Sequence, residues 1–355
     1  MNASRTFSPS SAASENLHNL KHTLFHELKP ERVRVSVGTA AVLGLVRMRL
    51  HVAPTTAYIM SYTEGSCVAN CSFCAQARDH SSSRDQLSRV DWPDYPVKDV
   101  VEGFSKSSAR VLQRVCLQVI NYPGFLEDTL SLVATFKATG LPISVDTCPV
   151  GAAGLRRLRD AGVDRVSIPL DGATPEVFNR IKGAGVGGPY RWETHMAALR
   201  EAVKVFGPGN VGSNLIVGLG ETEREAVRLV QTLRGMGVIT VLFAFTPLEG
   251  TRLSDRPHPL LDSYRRIQAA RHIIDRGLAV AGDMSFDDAG RITGYGPVDP
   301  ADALRDGAAF MTTGCPGCNR PFYNERPSGP YYNYPRPLKP DEVEEEIRSM
   351  GVKAT

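Results

Sequence analysis

The sequence predicts an α/β fold of the TIM type, a (β/α)8 barrel with a short helical lead-in and an irregular C-terminal strap. From Thr55 onward, apolar runs of about five to seven residues alternate with amphipathic stretches, the pattern of βα units that feed a parallel sheet. Gly140, Gly162, Gly237 and Gly277 follow amphipathic stretches, where a chain leaving a helix favours a left-handed residue. The span from the first apolar run to Met311 is close to the roughly 250 residues that such a barrel uses.

Taken in order, the Ser-rich first residues read as disordered, and Leu17–Leu28 and Thr39–Arg49 read as short helices of an extension over residues 1–50. Strands are expected near Thr55–Ser61, Arg114–Ile120, Pro142–Asp146, Arg165–Leu170, Val211–Val217, Val238–Phe245, Leu278–Ala281 and Ala308–Met311. Helices are expected at Val97–Ser107, Leu126–Ala138, Ala152–Ala161, Trp192–Val205, Glu221–Met236 and Leu260–Arg276. The barrel then occupies residues 51–313. Residues 314–355 form an aromatic, proline-rich strap that ends in a short acidic surface helix over Asp341–Met350.

Composition narrows the function classes. The 41 basic and 38 acidic residues leave a net charge of +3, too little to argue for nucleic acid or an anionic membrane. Met1–Glu15 lacks the apolar centre of a signal peptide, and the run Thr39–Val46 is too short to span a bilayer, so the expected location is cytoplasmic. In a reducing compartment, seven cysteines argue for metal ligands or chemistry rather than disulfides. Gly183–Gly188 fits G-x-G-x-x-G but follows a helix rather than a strand, which speaks against a dinucleotide site, and no H-E-x-x-H pair supports hydrolytic zinc.

The chemistry centres on Cys67, Cys71 and Cys74, spaced C-x3-C-x2-C just after the first strand. Three thiolates on a short loop can each take one iron of a [4Fe-4S] cube and leave the fourth iron open to a chelating molecule. A zinc knuckle would need a second Cys or His pair to close its tetrahedron. The other four cysteines also fall in or just beyond expected strands: Cys116 in the second, Cys148 after the third, and Cys315 and Cys318 after the eighth. The ends of barrel strands are where such folds keep their chemistry. A buried cysteine taken alone, Cys116 for example, can equally be a small core residue.

The spacing, with Phe73 just before the third cysteine, resembles the radical S-adenosylmethionine (SAM) enzymes. The runs Cys71–Gln76, Gly218–Glu221 and Phe245–Thr251, with Asp171, are similar to the biotin-synthase-like branch from about Thr55 to Gly314. The resemblance implies a cluster that reduces SAM to a 5′-deoxyadenosyl radical, with Phe73 against the adenine, Asp171 on the ribose, and Asn214, Ile216 and Gly218 lining adenine and ribose. The family's carboxylate-binding arginine falls at His195, with Arg191 and Arg180 as nearby substitutes, and Arg191 is the expected cation. Biotin synthase holds a second cluster by three cysteines and an arginine. Cys116 and Cys148 correspond to two of those ligands, but the others fall at Gly212 and near Leu278. Cys315 and Cys318 restore a set of four, which suits an auxiliary [4Fe-4S] cluster.

From Gly314 to Pro335 the strap resembles the two-component, biotin-synthase-like lipoyl synthases. That likeness implies sulfur insertion into an octanoyl chain on a carrier protein or lipoyl domain, with the auxiliary cluster as sulfur donor. It also implies a paralogous radical SAM partner and a ferredoxin or flavodoxin as reductant. A methylornithine-synthase-like mutase or a hydrogenase-maturase-like protein is the alternative within the branch. An iron–sulfur carrier is the alternative outside it, though a carrier has no need of the Asp171 and Gly218 elements.

Overall fold

The computed structural model describes residues 29–352. The disordered start and the Leu17–Leu28 helix lie outside them. Six parallel strands, β2 (Thr56–Ser61), β4 (Arg114–Gln118), β5 (Ile143–Asp146), β6 (Val163–Ser167), β7 (Val211–Val217) and β8 (Val238–Ala244), match the first six expected strands to within a few residues. Two antiparallel strands, β1 (Arg32–Val35) and β3 (Asp94–Pro96), extend the sheet beyond β2, giving the order β8-β7-β6-β5-β4-β2-β1-β3. Among the described residues, the fold is thus an α/β partial barrel with six parallel strands instead of eight. Residues 1–50 are not simply a helical lead-in either. β1 joins the main sheet, and the helix expected over Thr39–Arg49 spans only Val37–Val42 (α1), ending before Gly44 at φ 65°.

The two missing strands have physical reasons. Leu278 and Val280 are 47% and 51% exposed, so this apolar run has no sheet to bury it. Ala308–Phe310 is a 3₁₀ turn after Gly307, and Met311 makes only one bridge, to Tyr334.

Helices cover the outer face of the sheet: α2 (Val97–Gly103), α3 (Phe125–Lys137), α4 (Gly151–Ala161), α5 (Pro175–Ile181), α6 (Trp192–Phe206), α7 (Glu223–Gly235) and α8 (Leu261–Asp275). α7 shows why they form. Thr222 and Glu225 make a reciprocal capping box, and Val227, Val230 and Leu233 recur at helical spacing on the face buried against the sheet. Among the described residues, no helix is long and apolar enough to cross a membrane.

The strap closes the seam between β8 and β2. The free N–H groups of Leu242 and Ala244 donate to Thr313 Oγ1 (2.9 Å) and Asn324 Oδ1 (3.3 Å). On the other side, Thr55 N–H donates to Asn319 Oδ1 at 3.0 Å, and Arg320 N–H donates to the Tyr58 hydroxyl at 3.1 Å. Beyond the strap, the acidic helix forms over Pro340–Ser349 (α9), but it is docked rather than free on the surface. Glu346 takes the fully buried Arg265 at 2.6 Å, and Arg265 also donates to Tyr332 O at 2.7 Å.

Candidate active site

The Cys67–Cys74 loop leaves the C-terminal end of β2 and is pinned along its length. Cys67 N–H donates to Gln76 O (3.1 Å), Val68 N–H to Asn121 O (2.8 Å) and Ser72 N–H to Ile181 O (2.7 Å). Asn70, wholly buried, donates to Asp79 Oδ2 and Val186 O, both at 2.7 Å. A loop tied to three separate elements holds its side chains in fixed directions. Cys67, Cys71 and Cys74 all line a cavity of about 290 Å3 inside the barrel, and Phe73 lines it beside them.

Burial pushes all three thiols up, Cys74 to about 12 with Cys67 and Asp171 adding to the effect. Such thiols become thiolates only where a cationic centre offsets their burial, which bound iron does. Among the described residues, no three His, Cys, Asp or Glu side chains are gathered tightly enough to hold a single ion. The donor set fits a cube, in which each thiolate takes a different iron.

Facing the loop are Asp171, Lys182, Asp146 and Asn214, all lining the same cavity. Asp171 sits at φ 63°, a left-handed conformation that Asp tolerates better than most residues. Its Oδ2 accepts from Lys182 Nζ at 2.6 Å, and Nζ also donates to Pro169 O at 2.8 Å. The Lys182 ammonium lies 5.5 Å and 5.2 Å from the ring centres of Phe178 and Tyr190. Burial works against the charge of Lys182, but Asp171 and then Cys71 outweigh it and hold the ammonium above its usual range. Asn214 donates to Asp146 Oδ2 at 3.0 Å, while burial raises the Asp146 carboxyl to about 7.

The remaining four cysteines line this cavity too, at two levels. Cys116 is in the middle of β4, in register with Ser144 of β5. Its sulfur neighbours are Cys315 and Cys318, which add to the burial that pushes it up to about 12. Cys318 Sγ lies 3.1 Å from the Tyr58 hydroxyl. Cys148 lies two residues past the end of β5 at Asp146, on the mouth side of Ser144. Its sulfur neighbour is Cys67, and its thiol is raised to about 11, chiefly by burial. Of the four cysteines expected to act as one set, Cys116 thus has Cys315 and Cys318 as sulfur neighbours, and Cys148 has Cys67.

Asn214 and Ile216 line the cavity, and Gly218 and Arg191 do not. Gly218, at φ 107°, shapes the turn after β7, where an added Cβ would come 3.1–3.2 Å from Pro259 and Phe245, and its N–H donates to Glu221 at 2.5 Å. The Arg191 guanidinium turns back onto Tyr190 O (2.8 Å) and Gly188 O (3.2 Å). His195 does line the cavity, but burial, helped by Lys182, lowers it to about 3, so it carries no charge there. The cation facing the loop is Lys182, which the sequence reasoning missed. Its only local signal is its place 11 residues after Asp171, immediately after the last residue of α5.

The profile of the Radical SAM superfamily matches residues 63–233, which include the Cys67 loop, Asp171, Lys182 and β7. A biotin synthase of Hydrogenobaculum sp. is 25% identical over 222 residues, 61% of this chain and 63% of that protein. The mitochondrial biotin synthase of Emericella nidulans is 24% identical over 271 residues, 73% of this chain and 65% of its own length. The chain thus spans slightly under two thirds of these relatives. Among solved structures, methylornithine synthase aligns at a TM-score of 0.48 and 17% identity, covering 63% of each chain. The FeFe-hydrogenase maturase HydG from Carboxydothermus hydrogenoformans aligns at 0.48 and 18%, covering 62% of this chain and 51% of its own.

Proposed function

Because this chain is a biotin-synthase-like member of the radical SAM superfamily, we propose that it is a sulfur-inserting enzyme, one component of a lipoyl synthase that acts on a protein-bound octanoyl chain. The observation that carries this reading is the gathering of all seven cysteines around one cavity, two of them brought in by the strap. An enzyme that only rearranges its substrate has no use for the second set. Cys67, Cys71 and Cys74 would hold one cluster, and Cys116, Cys315 and Cys318 a second, with Cys148 at the rim between the two sets. Bound there, the clusters and SAM would supply a 5′-deoxyadenosyl radical and a sulfur source.

The chain's own groups would bind and orient. Asp171 accepts hydrogen bonds, and two ribose hydroxyls can donate to one carboxylate. Lys182 takes the role expected of Arg191, since a buried ammonium beside the loop can donate to an amino-acid carboxylate. A ligand that carries both groups would separate the Lys182–Asp171 pair and give each a new partner. The buried pair thus keeps both charges compensated until that ligand arrives. Phe73 and Ile216 offer apolar surface to a base, while Met60, Trp92, Ile120, Val241 and Phe243 line space suited to a thin alkyl arm. A small octanoylated carrier domain, a paralogous radical SAM partner and a ferredoxin or flavodoxin reductant complete the proposal.

Iron and sulfide content tests it directly. On the basis of two cubes, the anaerobically reconstituted chain should hold about eight irons and Cys315→Ala/Cys318→Ala about four. Labelled cluster sulfide should appear in the octanoyl product. A chain that saturates at four irons, or that thiolates the carrier only with sulfur from solution, would refute the sulfur-donor reading.

A further inference from the structure

Tyr58 of β2 is in register with Cys116 of β4, so their side chains leave the sheet on the same face, and Gln118, two residues on from Cys116, shares it. All three line the cavity. Two of the cysteine sulfurs there meet a side-chain donor. Gln118 Nε2 lies 3.1 Å from Cys116 Sγ, and an amide nitrogen can only donate. The Tyr58 hydroxyl lies 3.1 Å from Cys318 Sγ and also takes the Arg320 N–H at 3.1 Å. Because its oxygen accepts from Arg320, its own proton is left for the sulfur. Tyr58 is 9% exposed, so water competes little for that bond. Among the described residues, the donors to Cys67 and Cys74 sulfur are backbone N–H groups instead, such as Ala69 to Cys67 at 3.4 Å.

We propose that Tyr58 and Gln118 raise the reduction potential of the cluster held by Cys116, Cys315 and Cys318, so that it can take the electron that sulfur insertion delivers. The inference rests on the proposed use of that cluster as sulfur donor. Once a hydrogen atom has left the alkyl arm, the carbon radical forms a C–S bond to a bridging sulfide. Radical and sulfide together hold one electron more than the alkyl thiolate keeps, so one ferric iron becomes ferrous, and the thiolate is freed as its remaining bonds to iron break. The cluster is itself the oxidant, and no other is needed. Reduction adds negative charge to the cluster and its thiolates, and a donor aimed at a ligand sulfur stabilises that charge. Neither residue has to touch substrate, because each acts through a ligand sulfur.

The test reads midpoint potentials by redox titration followed by electron paramagnetic resonance, in two full-length backgrounds reconstituted anaerobically with Fe2+ and sulfide. Cys71→Ala reports the auxiliary cluster alone, and Cys315→Ala/Cys318→Ala reports the radical cluster alone. Tyr58→Phe and Gln118→Met each remove one donor and keep most of the side chain. In the first background each should disfavour the reduced cluster about tenfold, a midpoint about 59 mV more negative for one electron, and the two together should shift it further. In the second background neither should move the midpoint. A parent-like auxiliary midpoint in either variant, or an equal shift of the radical cluster, would overturn the inference. Loss of the auxiliary cluster from both variants would overturn it as well, by making the two side chains parts of cluster assembly. A Cys71→Ala chain that takes up no cluster at all would instead overturn the auxiliary cluster, and this inference with it.

Discussion

Removing the Lys182 charge should damage the protein more than removing the Asp171 charge, and the structure gives the size of the difference. The two side chains are 5% and 8% exposed and meet at 2.6 Å. In Lys182→Met, Asp171 keeps a buried charge whose ammonium donor is gone, a situation that costs about 3–5 kcal/mol. In Asp171→Asn, Lys182 keeps Pro169 O at 2.8 Å and the faces of Phe178 and Tyr190, and the new amide oxygen can still accept from it. That change should cost about 1–2 kcal/mol. The double variant buries no unpaired charge and should recover much of the loss. Anaerobic urea unfolding of the metal-free chain measures all four states of the cycle. Ligand binding supplies a second, independent reading. Asp171→Asn should weaken SAM by about 1–3 kcal/mol and leave competition by free methionine unchanged, whereas Lys182→Met should weaken both. Equal unfolding losses in the two single variants, strict additivity in the double, or a Lys182→Met chain that binds methionine normally would refute the role given to the pair.

With SAM and a strong reductant, the reconstituted chain should release 5′-deoxyadenosine and Cys71→Ala should not; wild-type turnover in that variant would remove the radical assignment. Glu325, 4% exposed with Oε2 unpartnered among the described residues, is raised by burial from 4.5 to about 8 against the opposing pull of Arg320 and Arg265. Between those values the folded chain binds more protons than the unfolded one, so stability should fall as pH rises from about 4.5 to 8, by on the order of 3–5 kcal/mol at most. Glu325→Gln should flatten that slope in pH-dependent thermal unfolding, and an unchanged slope would assign the titration to other groups.

Local pattern made the first six strands readable: Val238–Ala244 is apolar and rich in β-branched residues, and Val211–Val217 alternates buried and half-buried positions before the turn at Gly218. Leu278–Ala281 has the same local character but lacks a neighbouring strand to pair with, and pairing is a property of the whole chain. The Arg-Val-Arg-Val alternation of β1 was legible in principle. Its arginines hid it, since burial of Arg34 depends on partners far along the sequence, such as Trp92 O at 3.3 Å. The C-x3-C-x2-C loop was legible because its ligands are local. The level at which Cys148 stands was not, because it depends on strand register. Lys182 was hidden for a similar reason. A lysine reads as surface until a carboxylate and two aromatic rings from other segments are seen around it.

The strap joins barrel closure to ligand supply. Six parallel strands leave β8 with free N–H groups at one edge, and an exposed edge of that kind invites pairing with other chains. Thr313 and Asn324 satisfy two of those groups, and Thr55 and Tyr58 anchor the strap on the far side of the seam. Cys315 and Cys318 sit between those anchor points, and Gly314, at φ 135°, adopts a backbone conformation that glycine takes most easily. A seventh and an eighth strand would have closed the same gap with backbone bonds, but their side chains would have alternated in and out at a fixed spacing. An irregular segment is free of that alternation. It can turn Cys315, Cys318, Arg320, Tyr323 and Asn324 all toward the same cavity. The shortened barrel is therefore what allows two cysteines remote in sequence to meet Cys116 in the middle of β4.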